Sequence, residues 1–80
     1  MEELLDKIAV LVEHSESTAH CAVNATIPQI TVTFDERPDV SLSLLTPTIQ
    51  NRIKIGRLDE DDISELLHFV KKTAHFGTYA

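Results

Sequence analysis

The residues with the most obvious chemical potential are four consecutive acids, Asp59-Glu60-Asp61-Asp62. Clustered carboxylates can hold a hard cation or share acid–base work. Cys21 stands directly after His20, with His14 upstream, and His68 and His75 lie further along the chain. A thiol near an imidazole is the raw material of a nucleophile, and histidines with a cysteine are the raw material of a zinc site.

Spacing argues against each of these. Consecutive residues of a helix point about 100° apart, so four adjacent carboxylates cannot converge on one ion. Asp59 and Asp62 could approach each other, but two carboxylates without a third ligand hold Mg²⁺ or Ca²⁺ weakly. No paired-cysteine or paired-histidine spacing of a zinc site occurs. On one helix, His68 and His75 would stand about 10 Å apart along the axis, too far for one ion. Cys21 lacks recognisable oxyanion-hole glycines, because Gly occurs only at positions 56 and 77. The same scarcity excludes a phosphate-cradling loop. Asn24-Ala25-Thr26 matches a glycosylation acceptor, which is idle without a secretory signal. The expectation is a protein without enzymatic activity, metal or cofactor.

The four acids have a fuller reading as the start of a helix. Asp59 is suited to the N-cap, and Glu60, Asp61 and Asp62 fill the first turn, where the helix dipole favours anions. Leu58 and Ile63 occupy the positions of a hydrophobic staple. Lys71, Lys72 and Gly77 give the expected cations and stop at the other end. Between them Ile63, Leu66, Leu67, Val70 and Ala74 form one stripe, so a helix is expected from about Asp59 to His75.

The remaining elements must support that helix. Met1 to His14 is helical by pattern, with Leu4, Leu5, Ile8, Leu11 and Val12 on one stripe. Residues 15–25 fit two templates. A continued helix would add Ser15, Ala19 and Ala22 to the stripe, and a strand would place Ala19, Cys21, Val23, Ala25 and Ile27 on one face. Ile30 to Phe34 and Val40 to Leu44 alternate cleanly around DERPD, which reads as a hairpin with a loop of about five residues. Ile49 to Ile55 is contested. Thr46, Pro47 and Gly56 would cap a short helix, but the alternation of Ile49, Asn51, Ile53 and Ile55 favours a third strand, with Gln50, Arg52 and Lys54 outward. The expected fold is α+β: one domain over 1–80, a helix, a three-stranded antiparallel β meander and a second helix, both helices on one sheet face. Ile30, Val32, Phe34, Val40, Leu42, Leu44, Ile53 and Ile55 would meet the helical stripes.

Eighty residues bury a thin core, which leaves little room for a cofactor pocket. A single cysteine permits no internal disulfide and fits a reducing compartment. The acidic start is unlike a secretory signal, and no apolar run approaches the length of a membrane span, so a cytoplasmic protein off the membrane is expected. The net charge is −6, and residues 1–36 carry seven acids against Lys7 alone. That balance opposes phosphate, so direct nucleic-acid binding is not expected.

Two features point to a protein partner. Phe69, Phe76 and Tyr79 gather three of the four aromatics near the end of the chain, an aromatic shoulder of the type enriched at interfaces. Pairing of two copies through it, a homodimer, would help compensate for the thin core. Glu2, Asp6 and Glu13 form an acidic line on the first helix, opposite its apolar stripe, which could face a basic partner. The leading functional expectation is a regulatory protein-binding module. The alternative is an acidic inhibitor of a nucleic-acid-binding complex, of the anti-restriction or anti-CRISPR type, suggested by size and charge. A small metal-dependent enzyme comes third.

Overall fold

The structure, a computed structural model, describes residues 2–76, with Phe76 represented by its backbone. In chain order the elements are α1 (Glu2–Ser15), β1 (Ala19–Asn24), β2 (Gln29–Phe34), β3 (Arg37–Ser43), α2 (Pro47–Lys54) and α3 (Glu60–Phe76). The fold is α+β, with an antiparallel meander in the order β1-β2-β3. The contested segment is helical over Pro47–Lys54, and the third strand of the meander is Ala19–Asn24 instead.

The strand template prevails over 19–24 because it buries the right atoms. Ala19, Cys21 and Val23 turn toward the core, while His20, Ala22 and Asn24 meet water. The register runs from Ala19 opposite Phe34 to Asn24 opposite Gln29. A turn over residues 25–28 joins the strands, with a cis Ile27–Pro28 bond. Asn24 Oδ1 accepts from Thr26 N at 3.0 Å, so its side chain shapes this turn. Ala25 and Ile27 therefore leave the strand alternation.

The β2–β3 turn is shorter than expected, with Asp35 and Glu36 alone between the strands. Asp35 N donates to Thr18 O at 3.0 Å, which ties the turn to the start of β1. Arg37 pairs with Phe34, but Ser41 pairs with Thr33, so the ladder slips and Pro38, Asp39 and Val40 have no opposite number. Proline has no N–H to offer a ladder, and this one sits on an edge strand.

At 47–54 the helix template prevails, and its ends explain why. Thr46 Oγ1 accepts from Ile49 N at 3.3 Å, and Pro47 occupies the first position, where its missing N–H costs nothing. At the other end Gly56 N donates to Ile53 O (3.2 Å) and Arg57 N to Arg52 O (2.8 Å), the two bonds of a Schellman motif. Gly56 adopts φ 71°, the left-handed conformation this motif requires. Ile49 and Ile53 lie four apart, so they share a face in a helix as they would in a strand, and both are buried. Ile55, which only a strand would have turned inward, is 58% exposed.

All three helices cover one face of the sheet. Leu5, Ile8 and Val12 of α1, Leu66 and Val70 of α3, and Ile49 and Ile53 of α2 join Ala19, Ile30, Val32, Phe34, Leu42 and Leu44 in one cluster. Each such aliphatic side chain taken out of water contributes about 1.5–3 kcal/mol. Thr33, Ser41 and Ser43 lie on the solvated face. The buried face of α1 is turned relative to the sequence stripe: Ala9 is buried and Leu11 is exposed. Among the described residues, no helix is long and apolar enough to cross a membrane.

Candidate functional site

The tetrad near position 60 divides its labour. Asp59 Oδ1 accepts from Asp62 N at 2.9 Å, and Asp62 Oδ2 accepts from Asp59 N at 3.3 Å, a reciprocal capping box. Glu60 and Asp61 are exposed in the first turn. Asp62 is only 5% exposed, and its carboxylate pairs with Arg52 of α2. Burying a charge is costly unless it is paired and hydrogen-bonded, and Asp62 has both kinds of partner. Arg52 is thus a tie between α2 and α3, and not the outward-facing strand residue expected from the alternation.

That tie forms one wall of a cleft between α2 and α3. Leu44, Thr46, Thr48, Ile49 and Arg52 line it on one side, and Asp62, Glu65, Leu66 and Phe69 on the other. Its volume is about 340 Å³, within the range of small binding sites. Phe69 is 42% exposed, an aromatic ring left partly in water at a cleft of mixed polar and apolar lining. Two glutamines hold the α2 side in place. Gln29 Oε1 accepts from Leu45 N at 2.7 Å while Gln29 Nε2 donates to Leu45 O at 3.0 Å. Gln50 Nε2 donates to Pro28 O at 2.6 Å.

Of the residues expected to meet a partner, Phe69 lies in this cleft. Tyr79 and the side chain of Phe76 lie outside the described residues. Glu2 and Asp6 are exposed on α1. Glu13 is committed within the molecule, since its Oε2 accepts from Cys21 N on β1 at 2.9 Å. The acidic line therefore runs beside the buried face of α1, on the β1 side, and does not lie opposite it. The displacement follows from the inward turn of Ala9, four residues before Glu13.

Cys21 and His20 do not form a dyad, because consecutive strand residues point to opposite faces. His20 Nε2 instead meets Asp35 Oδ1 at 2.6 Å on the solvated side. The Cys21 thiol is pushed up to about 11, first by burial and then by the Glu13 carboxylate, so it is protonated at neutral pH. At the far end of α3, His75 Nε2 lies 3.7 Å from Glu16 Oε1, and Arg37 donates to the His75 carbonyl at 3.1 Å. His68, Lys71, Lys72 and His75 border a second, shallower depression. Among the described residues, no three His, Cys, Asp or Glu side chains are grouped so as to hold a metal ion.

The α2 side of the cleft escaped the sequence reading because it depends on 47–54 being a helix. The signal was present in Thr46-Pro47 and Gly56, and it was outweighed by the isoleucine alternation. Comparison with protein-family models, with curated proteins and with solved structures finds no match for this chain.

Proposed function

We propose that this is a non-enzymatic protein-interaction module that binds a protein partner through the cleft between α2 and α3. The observation that carries the reading is Phe69, 42% exposed at a cleft whose other apolar lining residues, Leu44, Ile49 and Leu66, are buried. A partly exposed aromatic at a cleft is the form of an interface anchor. The residues that could have suggested chemistry have other occupations. Asp59 and Asp62 cap each other and Asp62 pairs with Arg52, while the thiol of Cys21 is held protonated. The cleft walls are braced by the Arg52–Asp62 pair and by Gln29, so the site is formed before a partner arrives. Preformed sites bind with less entropic penalty than mobile ones.

Site-specific photocrosslinking in native-host lysate tests the reading. A photoreactive phenylalanine analogue at position 69 is expected to yield a discrete crosslinked protein, identified by mass spectrometry. The same group at Ser43, on the solvated sheet face, is expected to yield none. Equal crosslinking at both positions, or none at 69, would remove the cleft from consideration.

A further inference from the structure

The cleft also carries a charge pattern. Asp62 is already matched by Arg52, whose half-exposed guanidinium stands on the α2 wall. Glu65 also lines the cleft, is exposed, and has no ion-pair partner among the described residues. Phe69 stands four residues after Glu65, so carboxylate and ring lie on neighbouring turns of one helix side. Asp61, four residues before Glu65, continues the acidic side of α3 and is also exposed. The cleft thus offers an exposed aromatic ring and, on its α3 side, a carboxylate one turn away.

We propose that the cleft recognises a basic amphipathic segment of a partner protein. One apolar side chain would pack against the exposed ring of Phe69 in the cleft, and a Lys or Arg three or four residues away would meet Glu65. The inference rests on the cleft being the binding site and adds the chemistry of the occupant. An acidic segment is disfavoured along the α3 side, where Glu65 and Asp61 oppose its approach. The apolar anchor supplies most of the affinity, and the charge supplies direction and selectivity.

Selection from a phage-displayed library of short random peptides tests this without assuming a sequence. The full chain, Phe69→Ala and Glu65→Lys serve as separate baits at low salt. Both positions are exposed, and circular dichroism checks that each variant is folded. Binders of the native chain are expected to be enriched several-fold in Lys and Arg, spaced three or four residues from a Leu, Met or Phe. Phe69→Ala is expected to weaken those binders about tenfold. Glu65→Lys is expected to shift the enriched charge from basic to acidic. Binders that need Phe69 but show no basic preference, or ignore Glu65→Lys, would overturn the charge assignment and leave the cleft reading standing. An absence of Phe69-dependent binders would overturn the inference, with the photocrosslink at 69 then deciding the cleft reading separately. Self-association that is abolished by Phe69→Ala would assign the cleft to a second copy and would also overturn it.

Discussion

At the scale of single residues, the chain's reactive types are used as fasteners. Glu13 shows this most clearly: one oxygen seals a backbone N–H of β1, and the same charge raises the neighbouring thiol. The pKa of Cys21 is raised from 9.0 in the free residue to about 11. The native thiol therefore stays protonated while the unfolded one ionises. The stability this gives is fully present below pH 9.0 and is lost as pH rises toward about 11. Urea midpoints of the native protein are expected to fall across that window, and Cys21→Ser is expected to flatten the fall. Iodoacetamide alkylation should be slow at neutral pH and accelerate toward the alkaline end, with Glu13→Gln shifting the profile to lower pH. An alkylation rate at neutral pH matching that of free cysteine would contradict this account. The acids at 59–62 were legible at this scale, because capping depends on neighbours in sequence. Pairing of Asp62 with Arg52 was not, because it depends on where α2 lies.

At the scale of elements, the ends decided what the middles left open. Residues 49–55 satisfy a two-residue and a four-residue repeat equally well at Ile49 and Ile53, so periodicity could not choose. Thr46, Pro47 and Gly56 could, since each satisfies a backbone need that exists only in a helix. Strand β1 posed the converse problem. Ala19 and Cys21 are small enough to suit either element, and only pairing with β2 settled it. Gly56 gives a direct test of the capping argument. No atom lies within 4 Å of where a Cβ would stand, so substitution there brings backbone strain and no clash. Gly56→Ala is expected to destabilise by about 1–2 kcal/mol. In a domain of this size that corresponds to a melting temperature lower by roughly 4–16 °C. Gly56→Asn should lose less, because asparagine tolerates the left-handed region better. Equal stability of the glycine and alanine forms in a thermal melt would remove the Schellman motif as the reason for the helix end.

At the scale of the whole molecule, the α+β architecture followed from alternation over 30–34 and 40–44 together with two amphipathic helices. Long-range placement did not follow, and the cleft is a product of placement. The two edge strands of the sheet differ. On β1, Ala19 N donates to Glu16 O at 3.0 Å and Cys21 N to Glu13, so α1 and the residue after it cover the strand. On β3, Pro38 and the slipped register leave residues 38–40 without an opposite number on β2. Glu13→Ala is expected to uncover the Cys21 N–H, lower the melting temperature by several degrees, and raise light scattering at high concentration. Glu13→Gln, which keeps an acceptor, is expected to remain clear, and an equally clear Glu13→Ala solution would show that the carboxylate is not what guards the strand.

A ligand that docks by extending a sheet is read mainly through its main chain, so it can vary widely in sequence and still be accepted. On β1 two outward N–H groups are already taken, by Glu13 and Glu16, so that part of the edge has no free donor for an added strand. The consequence is that a second strand arriving there must first displace an intramolecular bond, which discourages two copies of the chain from joining sheet to sheet.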